Sequence, residues 1–276
     1  MMLVPRLATA LLLAAFAFGV EAAERVSFPA NGIELKALLY RPAGAGPFPA
    51  VVALHGCGGL YNSDGALNTR HADWAERLAA QGFVVLFPDS FGSRGAGSQC
   101  ATTNRVARPS AERVSDAFAA KAYLESRPDV KPDAVSLLGW SNGGSTILYV
   151  VDAAVGLRDG KADFARAVAF YPGCRVPAER GNWRARLPVL ILIGAADDWT
   201  AAAPCEALAK QAAAAGTPVS IVIYPGAYHD FDYPNLPLRS RSGLAYSADG
   251  SGIAHVGTNP AARDDALRRV SMFLAH

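Results

Sequence analysis

The chain has 276 residues, of which 51% are apolar, and a formal net charge of +2. That is enough apolar material to bury one sizeable core. So small a charge excludes the electrostatic footprint of a nucleic-acid-binding protein, and no basic amphipathic stretch marks a membrane-surface protein.

In chain order, residues 1–22 read as an export signal: a short leading region with Arg6, an apolar run from Leu7 to Val20, and the small residues Val20 and Ala22 ahead of a cut after Ala22. The run is too short and too rich in alanine to hold the chain in a bilayer, so no stable membrane insertion is expected after cleavage. Residues 23–276 are expected to form one periplasmic or secreted domain. Cys57, Cys100, Cys174 and Cys205 all lie in this part. An oxidising compartment makes disulfides the first expectation, with three pairings open.

Residues 34–40 alternate apolar and polar side chains like a half-exposed strand. Residues 50–54, 84–87, 134–138, 167–171, 189–193 and 219–224 are continuous apolar runs of the buried kind. Helical patterns lie between or after them: 72–81 closed by Gly82, 110–126 stopped before Pro128, 145–151, 202–215 closed by Gly216, and 261–275. The alternation predicts an α/β fold, a mostly parallel central sheet with helices on both faces, with ligands at the carboxyl ends of the strands. Residues 233–259, rich in Pro, Gly and Ser, read as a long loop packed beside the active-site rim.

The segment Gly139-Trp140-Ser141-Asn142-Gly143-Gly144 joins a buried strand to a helical run. A Gly-x-Ser-x-Gly in that setting is a nucleophile elbow, with Ser141 as the nucleophile. A serine hydroxyl needs a base, and the base needs an acid to orient it. Among five histidines, His229 alone sits just beyond a late strand. His255 lies in the irregular segment, where a loop contact is expected instead. The acid should leave the preceding strand, where Asp197 and Asp198 compete on spacing alone, the other being solvated or capping the next helix. The backbone N–H groups of Asn142 and Cys57 are the expected oxyanion donors. Trp140, Trp199 and Tyr228 each neighbour one of these residues and either line an acyl pocket or pack in the core. Arg113 and Asp116, at i,i+3, read as an ion pair within one helix. No zinc spacing, phosphate loop or dinucleotide fingerprint occurs, so neither metal nor cofactor is implied.

With these residues in hand, the chain from about Val26 onward resembles the dienelactone hydrolase family. The marks are His55-Gly56-Cys57-Gly58-Gly59, Pro88-Asp89-Ser90-Phe91 with Arg94, the elbow, Gly194 to Asp198, and Tyr228-His229-Asp230-Phe231. The resemblance implies the α/β-hydrolase fold and Asp197 as the acid, three positions after Gly194. It also implies that Arg94 holds a substrate carboxylate, against a structural salt bridge as the alternative. The strand order of that fold pairs Cys57 with Cys100 and Cys174 with Cys205. Two departures stand out: dienelactone hydrolases proper carry cysteine where this chain has Ser141, and His55-Gly56 occupies the region of a thiol-assisting glutamate. Both point to a serine esterase of small esters, with lactone hydrolysis, peptidase activity or a non-catalytic binding role as alternatives.

Overall fold

Strands with apolar side chains on both faces are stable only when both faces are covered. The computed structural model describes residues 23–155 and 162–275, so the export signal expected over 1–22 lies outside the described residues. Strands β1 (Glu24–Ala30) and β2 (Ile33–Tyr40) form an antiparallel hairpin turned at Asn31 and Gly32, both at positive φ. Then follow β3 (Phe48–Leu54), helix α1 (Thr69–Ala80), β4 (Val84–Pro88), α2 (Glu112–Glu125), β5 (Val130–Trp140) and α3 (Asn142–Val150). The second half runs β6 (Ala167–Phe170), α4 (Arg175–Glu179), β7 (Val189–Gly194), α5 (Ala202–Ala214), β8 (Val219–Tyr224), β9 (Arg239–Arg241), β10 (Ala254–Val256) and α6 (Pro260–Ala275).

Eight strands form one sheet in the order β1-β2-β4-β3-β5-β6-β7-β8. From β4 to β8 every neighbouring pair is parallel, and β2 joins β4 antiparallel. This is the mostly parallel α/β sheet that the sequence predicts. Right-handed crossovers running in opposite directions lie on opposite faces, so the reversal at β4 puts α1 on one face and α2 on the other. The same reversal sends the chain away from β3 and β5 in opposite directions. A crevice therefore opens above the carboxyl ends of these two neighbours.

Inside the layers, Val51, Leu54, Leu86, Leu138 and Ile191 are fully buried. Both expected cysteine pairs are formed, Cys57–Cys100 and Cys174–Cys205. Residues 233–259 are not wholly irregular: β9 and β10 pair antiparallel within them. Among the described residues, no helix is long and apolar enough to cross a membrane.

Candidate active site

The strand β5 ends on Trp140 and α3 starts on Asn142, leaving Ser141 alone in the turn at φ 52° and ψ −111°. Such a backbone costs an L-residue free energy and persists only where its surroundings enforce it. Two glycines make it possible. A Cβ on Gly143 would stand 2.0 Å from the Leu54 carbonyl oxygen, and one on Gly139 would stand 2.7 Å from the Gly143 backbone. The first turn of α3 thus closes on the ends of β3 and β5 without space for a methyl group, and Ser141 lines a cavity of about 590 Å³.

Loops after β7 and β8 meet just as closely, since a Cβ on Gly194 would lie 2.1 Å from the Ala227 carbonyl oxygen. Asp197 and His229 occupy these loops, with Asp197 Oδ2 2.8 Å from His229 Nδ1. The other carboxylate oxygen accepts the backbone N–H groups of Trp199 and Thr200 at 2.9 and 2.8 Å. The Thr200 hydroxyl stands 3.1 Å from Asp197 Oδ2 and 3.0 Å from the Tyr171 carbonyl oxygen. The carboxylate is held on every side, and it holds the imidazole in turn. His229 is packed between Tyr171 and Trp199, ring centroids 4.3 and 4.7 Å away. Its Nε2, the nitrogen a serine would use, is buried without a hydrogen-bond partner among the described residues.

On the other side of Ser141, the loop after β3 carries Cys57. An ideal Cβ on Gly56 would lie 3.7 Å from Ser141 Cβ, so this loop lies against the turn. The Cys57 carbonyl accepts the Gln99 N–H at 2.7 Å, and its side chain is bridged to Cys100. Asn142 opens α3, where the first N–H groups have no partner within the helix. A second cavity, of about 400 Å³, opens past Cys57, Ser141, Asn142 and Trp199 toward Tyr149 and Val176.

Not every expected residue is here. Trp199 lines both cavities. Trp140 is fully buried and points away, donating its indole N–H to Asp232 at 2.8 Å. Tyr228 lies on His255 instead, ring centroids 5.3 Å apart, and borders neither cavity. Arg94 makes a fork to both oxygens of Asp116 at 2.8 Å and a bond to the Ser90 carbonyl at 2.7 Å, outside both cavities. Its role is the structural salt bridge: Asp116 is wholly buried and needs a partner of this shape. The expected Arg113–Asp116 pair is therefore replaced, because Arg113 turns to the elbow and bonds Asn142 Oδ1 and the His55 carbonyl. Asp198 does not cap α5; it is the solvent-exposed member of the two aspartates, and its carboxylate takes His255 Nδ1 at 2.7 Å.

Sequence reasoning missed a buried strap. Asp232, fully buried, accepts from Trp74, Trp140 and Tyr171 at 2.8, 2.8 and 2.5 Å. It fastens the histidine loop to the residue preceding Ser141. Burial raises its carboxyl above the usual range, while the neighbouring Asp230, also pushed up by burial, is brought below it by Arg70. Arg70, Asp230, Arg239 and Arg241 add a polar wall to the larger cavity. The only advance signal was Asp230-Phe231-Asp232 following His229. Among the described residues no cluster of three or more acidic, histidine or cysteine side chains is arranged to hold a metal.

The sequence profile of the Dienelactone hydrolase family matches residues 35–276. A protein of Synechocystis sp. provisionally named a carboxymethylenebutenolidase is 24% identical over 216 residues, covering 75% of this chain and 85% of the relative. A dienelactone hydrolase-like promiscuous phosphotriesterase from metagenomic libraries superposes with a TM-score of 0.68 at 20% identity, over 93% of this chain and 98% of that one. Esterase 2 of Thermogutta terrifontis, in a structure phosphorylated by paraoxon, gives a TM-score of 0.65 at 19% identity, over 91% and 93%. These likenesses establish the α/β-hydrolase fold.

Proposed function

The chain belongs to the dienelactone hydrolase family, a family of hydrolases, and on that premise we propose that it is an exported serine hydrolase of small carboxylic esters, working through an acyl-enzyme. The observation that carries this reading is the Asp197–His229 bond, buried and closed on all sides but Nε2, at the wall of a cavity that Ser141 also lines. In the proposed reaction His229 takes the proton of Ser141 as the hydroxyl attacks the ester carbonyl. The backbone N–H groups of Asn142 and Cys57 receive the oxyanion. His229 then protonates the leaving alcohol. Water, deprotonated by the same histidine, releases the acid and restores Ser141. Asp197 keeps the imidazole in the tautomer and orientation that both steps need.

Linear esters fit better than a dienelactone-like acid. Ser141 stands where lactone hydrolases of the family carry cysteine, and Arg94 is engaged by Asp116 away from both cavities. Two cavities meeting at the nucleophile offer room for groups on both sides of the scissile bond. Export is supported by the sequence pattern of residues 1–22 and by the two disulfides. Protein recovered from the periplasm or medium is expected to begin at Ala23, read by N-terminal sequencing; an intact Met1 end would reject the export signal. For the chemistry, a fluorophosphonate probe followed by peptide mapping is expected to mark Ser141 and no other residue, whereas an unlabelled native protein would argue for a binding role.

A further inference from the structure

Arg113 is a fully buried charged group that the proposed reaction leaves unused. It lies in the first turn of α2 with no exposed surface, its guanidinium 5.2 Å from the Phe91 ring centroid. Its hydrogen bonds go to neutral acceptors: Nη1 donates to Asn142 Oδ1, and Nη2 donates to the His55 carbonyl at 2.8 Å. Glu112, the adjacent acid, is taken by Arg108, and Asp116, three residues on, is occupied by both arms of Arg94. Burial pushes the Arg113 guanidinium down to about 9, with Arg105 and Arg94 acting in the same direction and Asp116 and Asp89 opposing. A cation kept in such a place without its own carboxylate is costly. Conflicts of that kind between stability and position gather where function demands them.

The two acceptors explain the demand. Asn142 supplies one proposed oxyanion donor, and His55 lies two residues before Cys57, which supplies the other. A single rigid fork therefore bridges the two backbone segments whose N–H groups must converge on one oxygen atom. We propose that Arg113 is a positioning residue of the oxyanion hole, fixing the separation of the Asn142 and Cys57 N–H groups and adding a buried positive charge behind the developing oxyanion. The inference rests on Ser141 as nucleophile and extends that reading to a residue outside both cavities.

The test combines Arg113→Met, Arg113→Lys and Asn142→Ala with kinetics on a small activated ester and binding of a trifluoromethyl ketone, which adds to a serine as a tetrahedral oxyanion. Arg113→Met is expected to lower kcat about 30- to 100-fold, less than or equal to the loss of a direct donor. KM should stay within about twofold, and the ketone should bind more weakly by about the same factor as kcat falls. Arg113→Lys, which keeps the charge and loses the fork, should fall between Met and native. Asn142→Ala cuts the clamp at its far end while keeping the backbone N–H, and should cost about tenfold in kcat with little added loss when combined with Arg113→Met. Unchanged kcat in Arg113→Met, or a loss of kcat with unaltered ketone affinity, would overturn the clamp. If Arg113→Met fails to fold by circular dichroism, Asn142→Ala decides, and native kcat in that variant overturns it. Failure of the native protein to bind the ketone would instead unseat Ser141 itself.

Discussion

The adjacent aspartates Asp197 and Asp198 hold two histidines at almost one distance, 2.8 Å to His229 and 2.7 Å to His255. Their surroundings differ: the side chains of the first pair are 0% and 1% exposed, those of the second 39% and 43%. In water a charged pair contributes about 0–1 kcal/mol and fixes little. The exposed pair acts as a fastener. Asp198 also accepts the His255 backbone N–H at 2.7 Å, and its carbonyl accepts the Ala248 N–H at 2.8 Å, tying residues 245–256 to the acid turn. In the buried pair, among the described residues, the one side-chain nitrogen or oxygen without a hydrogen-bond partner is Nε2 of His229, beside the Ser141 cavity. Pair geometry is therefore common to fastener and proposed machinery; exclusion of water and access to the nucleophile separate them.

The sharpest way to break this comparison is to neutralise each aspartate in turn. Asp197→Asn is expected to lower kcat on a small activated ester about 10³- to 10⁴-fold, because the imidazole loses its orienting acceptor. Asp198→Asn should change it less than about threefold, as for other exposed pairs. Steady-state kinetics on the two variants would show it, and equal losses would erase the distinction. A second, smaller effect concerns what keeps the buried side buried. Asp232→Ala deprives Trp74, Trp140 and Tyr171 of their acceptor and leaves Arg70 short of a nearby anion. Stability should fall by about 3–5 kcal/mol, measured by urea unfolding. A loss under about 1 kcal/mol would mean that the strap is not what joins the histidine loop to the elbow.

Much of this arrangement was legible in the sequence because it is local. Continuous apolar runs located β3, β4 and β6 to β8, and Gly139 and Gly143 around Ser141 announced the tight turn between β5 and α3. Failures followed from long-range partners. β1 escaped notice because it is an edge strand, half exposed and paired only to β2. β5 starts at Val130 ahead of its apolar run, with Lys131 to Asp133 exposed. The i,i+3 rule joined Arg113 to Asp116, yet Arg113 is drawn to an acceptor 29 residues away. Trp140 and Tyr228 sit beside proposed reacting residues in the chain and turn from the cavities in space, one to Asp232 and the other to His255. Proximity in sequence does not tell which way a ring faces. The wall made by Arg70, Asp230, Arg239 and Arg241 is drawn from three distant segments, which no spacing pattern could assemble.

The central claim is that Ser141 attacks the substrate, and turnover of a small activated ester by Ser141→Ala tests it most directly. Activity is expected to drop to the level of buffer, with the circular dichroism spectrum of the native protein retained; a folded Ser141→Ala variant that still hydrolyses the ester would contradict it.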